Sequence, residues 1–203
     1  MVDAIQTRSH DGALRQPADS VDDYLRALAA TIDGLSRDDI WTAADLLLAA
    51  CRQGRRIYLV GNGGSASTAS HIANDLNKQA IVPGQPRFRA IALTENVPLL
   101  TAWGNDESFR MVFRRQLENH LEEGDVLIAI STSGESPNIL EAVGLARERG
   151  AVTIGLSGDG GGPLRPMVDL CILVPSAEIG HQEAVHLALD HAITMAIRQR
   201  IDP

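Results

Sequence analysis

The sequence has a deficit of basic charge. Its 18 Lys and Arg residues stand against 26 Asp and Glu residues, which gives a formal net charge of −8. Binding to nucleic acid or to an anionic membrane surface requires clustered Lys and Arg, so we expect neither as a partner. Any phosphate that the protein binds must be held locally, by backbone amides and hydroxyl groups.

Cysteine and long apolar runs are also scarce. The two cysteines, Cys51 and Cys171, lie in apolar surroundings, and no CxxC pair occurs. A thiolate zinc site is therefore not indicated, and we expect two buried free thiols. No stretch approaches the ~20 apolar residues of a membrane span, and the polar N-terminus lacks the apolar segment of a secretion signal. These absences favour a soluble protein of the cytoplasm.

The N-terminal part of the sequence predicts a tail and two helices. Residues 1–17 are polar and are expected to be disordered. The segments SVDD and SRDD each place a serine three residues before an aspartate, which is typical of a helix start, so Ser20 and Ser36 are candidate N-caps. Apolar residues follow at helical spacing. We predict a helical hairpin over 18–53, packed on the domain or on another subunit, within a single domain spanning 18–203.

The rest of the sequence alternates apolar runs with helical patterns. Five such runs are RIYLVGN, FRAIALT, DVLIAISTSGES, AVTIGLSGDGGG and LCILVPS, and a long helical pattern, QEAVHLALDHAITMAIRQRI, follows the last. Continuous apolar runs alternating with helices indicate a parallel sheet covered on both faces. The predicted fold class is therefore α/β, a three-layer sandwich with a five-stranded parallel sheet, preceded by the two N-terminal helices.

Two loops that follow predicted strands are rich in groups that bind anions. The first is the glycine loop, residues 61–65 (GNGGS), and the second is the serine loop, residues 131–136 (STSGES). Glycine allows close backbone approach, a following helix offers free N–H groups, and hydroxyls donate to phosphate oxygens. Each loop alone has a simpler explanation, a tight turn or a helix cap. Ligands of parallel sheets bind beyond the carboxyl ends of the strands, so the two loops together favour a phosphate site.

Histidines and carboxylates recur at helical spacing in two places. His71 and Asp75 are four residues apart on the helix that follows the glycine loop and face the same side. The last predicted helix carries four more such residues: Glu183, His186, Asp190 and His191. Two histidines and two carboxylates on two helices suit Zn²⁺ or a similar ion, or they suit acid/base chemistry. In isolation, His71 with Asp75 also fits a polar surface pair, and His186 with Asp190 a supporting or surface pair.

Four of these segments together resemble one family. They are GNGGSASTASHIANDL, WGND at 103–106, GDVLIAISTSGESPNIL and QEAVHLALDH, and they resemble the sugar isomerase (SIS) domain family, above all its phosphoheptose isomerases. The likeness runs from about residue 20 to the C-terminus. It implies a flavodoxin-like fold, and a homotetramer with sites shared between subunits.

The resemblance also implies roles for individual residues. The implied phosphate and substrate contacts are Asn62, Gly63, Gly64, Ser65, Asp75, Asn105, Asp106, Ser131, Thr132, Ser133, Ser136 and Glu183. The implied ligands of a Zn²⁺ ion are His71, Asp75, Glu183 and His191. Two of these depart from the family pattern, because Asp75 replaces a glutamate and Glu183 replaces a glutamine. A shift of one residue would bring Gln182 into the latter place.

The activity that the resemblance implies is aldose–ketose isomerisation of a phosphorylated sugar. The expected reaction converts sedoheptulose 7-phosphate to D-glycero-D-manno-heptose 7-phosphate through an enediol, with Asp75 as the base and His191 as the acid. The alternative is a non-catalytic SIS-domain protein, either a phosphosugar-binding or a DnaA-binding regulatory protein. Such a protein has no need of Asp75 and His191, so their presence favours an enzyme. A nucleotide-dependent oxidoreductase is disfavoured because no GxGxxG motif occurs.

Overall fold

The structure is a computed structural model that describes residues 21–201. The predicted disordered tail over 1–17 and the proposed N-cap at Ser20 lie outside the described residues. The helices are α1 (Val21–Asp33), α2 (Arg37–Arg52), α3 (Gly64–Lys78), α4 (Val97–Asp106), α5 (Val112–Glu118), α6 (Pro137–Glu148) and α7 (Ile179–Ile201). The strands are β1 (Ile57–Val60), β2 (Ala90–Ala92), β3 (Val126–Ser131), β4 (Val152–Ser157) and β5 (Leu170–Leu173). Two short 3₁₀ helices occupy Phe109–Met111 and Gly162–Met167.

The five strands form one parallel sheet in the order β2-β1-β3-β4-β5. This order confirms the predicted α/β class and is the flavodoxin-like order. The strand order reverses between β1 and β3, where Val60 pairs in register with Ala129. The chain leaves these neighbouring strands toward opposite faces of the sheet, so a crevice opens between the loops that follow them. Those loops are the glycine loop and the serine loop.

Each face of the sheet has its own aliphatic core. On one face, buried side chains of α2, α3 and α7 pack against residues such as Leu59, Ile128 and Ile154. On the other face, α5 and α6 cover Tyr58 and Leu127. Alternate residues of β1 therefore serve opposite cores, and all four of its residues are buried. Strands covered on both faces require the continuous apolar runs that the sequence shows.

Local signals set several helix boundaries as predicted. Ser36 caps α2, and its hydroxyl accepts a hydrogen bond of 3.2 Å from the backbone N–H of Asp39. Pro137 is the first residue of α6, and Gly150 follows that helix with φ +70°, a conformation that favours glycine. α7 begins at Ile179, three residues before the predicted start. The two N-terminal helices precede the first strand, and both contact α7.

The sequence did not indicate α4 and α5. α4 has no buried residue and α5 is only seven residues long, so neither produces an extended pattern of apolar residues at helical spacing. Cys51 is buried as expected, whereas Cys171 is only partly buried, and burial raises the pKa of both thiols. Between residues 21 and 201, no helix is both long and apolar enough to cross a membrane.

Candidate active site

The glycine loop makes a turn that only glycine fits at two positions. Gly63, the N-cap of α3, has φ 54° and ψ −123°, outside the range of ordinary residues. A Cβ on Gly61 would collide with the backbone carbonyl of Ser65. The turn thus brings the chain from β1 directly into α3, whose first turn presents N–H groups toward the crevice. Ser65, the second residue of α3, is buried there.

One hydroxyl of the serine loop does not cap the helix that follows the loop. Ser136 is the N-cap of α6, yet its side chain makes no capping hydrogen bond. Its Oγ instead lies 3.3 Å from Ser131 Oγ. Ser131 Oγ also accepts from Gly134 N, and Ser133 Oγ from Glu135 N, so the loop is folded back on its own hydroxyls. Capping therefore does not account for the run of hydroxyls in this loop.

A pair of asparagines joins the two loops. Asn62 of the glycine loop and Asn138, the second residue of α6, exchange two side-chain hydrogen bonds of 2.9 Å. Asn138 is buried and was not predicted as a site residue from the sequence. Its position directly after the serine loop, in the first turn of the predicted helix, could have indicated that it lies at the site. The pair holds the N-termini of α3 and α6 at a fixed separation across the crevice.

Two histidines and two aspartates meet where α3 packs against α7. One ligand atom from each of His71, Asp75, Asp190 and His191 lies within 4.8 Å of all the others, and we call this group the His–Asp cluster. The Nε2 atoms of His71 and His191 are 3.3 Å apart. Asp75 Oδ2 lies 3.8 Å from each of these nitrogens, and Asp190 Oδ2 lies 3.8 Å from that of His71.

The two carboxylates of the cluster are buried, whereas the two imidazoles reach solvent. The Asp75 and Asp190 side chains are each 1% exposed, against 43% for His71 and 56% for His191. Asp75 Oδ2 and both Asp190 oxygens make no hydrogen bond of good geometry within residues 21–201. Asp75 Oδ1 accepts a hydrogen bond of 3.0 Å from the Asn74 amide. Burial and the neighbouring Asp75 raise the pKa of Asp190 to about 6, while His71, His191 and the nearby Thr194 hydroxyl oppose this shift. Two buried carboxylates side by side with incomplete hydrogen bonding are still costly unless a cation or protons compensate them.

The geometry of the cluster fits a divalent metal ion. A tetrahedral zinc site with ligands about 2.1 Å from the ion separates neighbouring ligand atoms by roughly 3.4 Å. Four of the six separations are 3.3 or 3.8 Å, close to this value, and all six are within 4.8 Å. Imidazole and carboxylate are suitable donors for Zn²⁺ and similar ions. A pocket of about 600 Å³, lined in part by Asp75, His191 and Arg198, opens beside the cluster.

The predicted ligand Glu183 is not a member of the cluster, whose fourth side chain is Asp190. Glu183 lies two helical turns before His191, and a Cβ placed on Gly64 would be 2.5 Å from its Oε1 atom. Its carboxylate therefore lies at the N-terminus of α3, beside the glycine loop. Gln182 does not replace it, because its amide donates to the Ser176 carbonyl and its side chain packs against Gly158.

Four other candidates lie apart from the cluster. Asn105 and Asp106 end α4 with exposed side chains, and the Asn105 amide donates to Asp106 Oδ1 at 2.8 Å. His186 is buried in α7, and neither ring nitrogen makes a hydrogen bond of good geometry within the described chain. Burial lowers its pKa to about 4, and the nearby backbone of Ser157 opposes this shift. Thr132 is half-buried in the serine loop.

Known proteins are similar to this chain in sequence and in fold. The SIS domain family model matches residues 21–158. A phosphoheptose isomerase of Geobacter sulfurreducens is 40% identical over 190 residues, which covers 91% of this chain and 99% of that protein. Structures of phosphoheptose isomerases from Neisseria gonorrhoeae and Francisella tularensis match with TM-scores of 0.82 and 0.84, at 32% and 30% identity. These matches cover 88% and 91% of this chain, and 97% and 100% of theirs.

The fold and the paired loops define a doubly wound α/β domain with its ligand crevice at the point where the strand order reverses. The chain belongs to the SIS domain family and, within it, to the phosphoheptose isomerases.

Proposed function

We propose that the protein interconverts sedoheptulose 7-phosphate and D-glycero-D-manno-heptose 7-phosphate. The observation that carries this proposal is that one helix, α3, begins at the glycine loop and also carries two residues of the His–Asp cluster. α3 begins at the glycine loop and carries His71 seven residues after Gly64, about 10 Å along its axis at ~1.5 Å per residue. A sugar whose phosphate is bound at the start of α3 needs a chain of several carbons to bring its carbonyl end to the His–Asp cluster.

The two loops would hold the phosphate without basic residues. We propose the hydroxyls of Ser65, Ser131, Ser133 and Ser136 as its donors, together with the free N–H groups at the starts of α3 and α6. We propose that the remaining substrate contacts come from Asn62, Gly63, Gly64, Thr132, Asn105, Asp106 and Glu183. A cradle of hydroxyls and amides agrees with the acidic composition of the chain.

The chemistry requires a base beside the carbon and a second group that moves a proton at the oxygens. We assign the first role to Asp75, because its carboxylate is buried and its Oδ2 lacks a hydrogen-bond partner within the described residues. His191 is half exposed, beside the pocket, and its Nε2 is 3.8 Å from Asp75 Oδ2, which suits it to the second role. A Zn²⁺ ion held by His71, Asp75 and His191 would polarise the substrate carbonyl. A side chain bound to the ion is not free to carry a proton, so metal binding competes with the acid/base roles of Asp75 and His191.

An isomerisation assay with sedoheptulose 7-phosphate tests this function. The wild-type protein should form the heptose phosphate, and Asp75→Asn and His191→Ala should each lower kcat by roughly 10²–10⁴-fold. His120→Ala, at an exposed histidine remote from the cluster, should keep full activity. Unchanged rates in both cluster variants would exclude the assigned chemistry. Binding of the sugar phosphate without any turnover would instead favour a regulatory protein.

We also propose that the protein is a homotetramer. α1 and α7 expose aliphatic side chains that a monomer would leave in water, including Leu25 at 54% and Met195 at 57%. An apolar groove of about 280 Å³ between α1, α2 and α7 adjoins them, and Met195 also lines the pocket beside the cluster. Light scattering on the purified chain should give four times the monomer mass, and Leu25→Glu should lower it. A monomeric wild-type protein would refute this assembly.

A further inference from the structure

We propose that Asp190 supplies the fourth ligand of the metal ion in the His–Asp cluster and that Glu183 does not bind the ion. The inference rests on the proposed function in that it concerns the same site. It goes further in changing the donor set, because the family pattern places the fourth ligand at position 183. Asp190, not Glu183, has its carboxylate within 4.8 Å of the ligand atoms of His71, Asp75 and His191.

The surroundings of Asp190 suit a bound cation. Its side chain is 1% exposed, and neither oxygen makes a hydrogen bond of good geometry within residues 21–201, although the Thr194 hydroxyl lies nearby. A buried carboxylate normally has charged or hydrogen-bonding partners, because loss of hydration is otherwise uncompensated. Its Oδ2 instead faces the Nε2 atom of His71 at 3.8 Å, a separation close to that of two ligands on one tetrahedral ion.

The side chain of Glu183 lies at the start of α3, away from the His–Asp cluster. Its carboxylate lies against Gly64 at the start of α3, while His191 is eight residues further along α7, about 12 Å away along the helix axis at ~1.5 Å per residue. The positive end of α3 already provides a favourable environment for this carboxylate. Replacing Glu183 by Asp190 keeps two carboxylates and two imidazoles in the donor set, so position and not charge distinguishes the two candidates.

Metal binding by matched amide variants tests the assignment without reference to catalysis. Zn²⁺ affinity is measured by competition with a chromophoric chelator, with stoichiometry from elemental analysis, in the wild type, Asp190→Asn and Glu183→Gln. We expect one ion per chain in the wild type, binding at least about tenfold weaker in Asp190→Asn, and wild-type affinity in Glu183→Gln. Equal weakening in both variants, weakening in Glu183→Gln alone, no change in Asp190→Asn, or no stoichiometric metal in the wild type would each overturn the proposal.

A cysteine at position 190 tests ligation directly. Thiolates bind Co²⁺ and add a sulfur-to-metal charge-transfer band in the near ultraviolet. Co²⁺-loaded Asp190→Cys should show this band, whereas the wild type, which retains Cys51 and Cys171, should not. A Co²⁺-loaded Asp190→Cys protein without the band would overturn the assignment. These readouts hold even if the sugar substrate proves to be different.

Folding of the variants is checked by thermal unfolding without metal. Asp190→Asn removes one of two adjacent buried carboxylates, so the metal-free variant should melt at or above the temperature of the wild type. The increase in Tm on adding Zn²⁺ should be large in the wild type and in Glu183→Gln, and small in Asp190→Asn. A metal-induced increase in Asp190→Asn as large as that of the wild type would contradict the proposal.

Discussion

Asn62 and Asn138, 76 residues apart in the sequence, donate to each other's side-chain oxygens at 2.9 Å and so connect the loop after β1 to the first turn of α6. Each amide satisfies the other, and Asn138 is buried. The pair fixes the spacing of the two helix N-termini that are proposed to bind phosphate.

Replacing Asn138 with leucine should loosen this spacing. The change leaves the Asn62 amide without its partner, so we expect a loss of about 1–3 kcal/mol in the free energy of unfolding. KM for the sugar phosphate should rise about tenfold, with a smaller effect on kcat, because the acid/base groups lie on α3 and α7. Denaturant unfolding and steady-state kinetics measure both effects. Asn119→Leu, at an exposed asparagine, is the control, and equal KM values in the two variants would refute a positioning role for the pair.

Two serines at helix N-caps should respond to alanine in opposite ways. Ser36 caps α2 through its side chain, so Ser36→Ala should cost about 1 kcal/mol of stability and leave KM unchanged. Ser136 makes no capping bond, so Ser136→Ala should cost little stability. It should raise KM about tenfold, since a hydrogen bond to a charged group contributes about 1.5 kcal/mol or more. An unchanged KM in Ser136→Ala would remove this hydroxyl from the phosphate site.

Neutralising Glu183 should strengthen substrate binding. Its carboxylate lies beside Gly64, close to where the phosphate is proposed to bind, and like charges repel. Glu183→Gln should therefore lower KM by about threefold, more at low ionic strength than at high. Kinetics at two salt concentrations measure the effect. A higher KM in the variant would show that the carboxylate accepts hydrogen bonds from the sugar.

Burial of His186 predicts a loss of stability in mild acid. Its pKa is lowered to about 4 in the folded protein, so below the unfolded value of about 6.5 the unfolded chain binds the proton more strongly. The contribution of His186 to stability should fall as the pH drops from about 6.5 to 4, by about 3 kcal/mol in total, and be constant above this range. His186→Leu should remove this fall in metal-free protein, as measured by denaturant unfolding at several pH values.

The difference between variant and wild type isolates His186 from other groups. Asp190 contributes a slope of the opposite sign, because its raised pKa reduces stability as the pH rises from about 4 to about 6. This contribution is common to both proteins and cancels in the comparison. His120→Gln, at an exposed histidine, should leave the pH profile unchanged. If His186→Leu follows the wild-type profile, His186 is not buried in its neutral form.

Much of the fold was predictable because it is encoded locally. The five apolar runs became the five strands, and cap residues such as Ser36, Pro137 and Gly150 set helix ends where expected. α4 and α5 were missed because a helix with no buried side chain and a helix of two turns leave no extended periodic pattern.

The sequence by itself determined that the chain is an acidic α/β protein with two hydroxyl- and glycine-rich loops at strand ends. It could do so because each strand and each loop consists of residues that are neighbours in the sequence. Only the tertiary structure decided which distant side chains meet. The parallel packing of α3 against α7 brings Asp190 to His71 and places Glu183 beside Gly64 instead. The strand order sets the glycine loop beside the serine loop, so that Asn62 reaches Asn138. Spacing along one helix fixes which residues share a face, but helix packing selects the neighbours of that face.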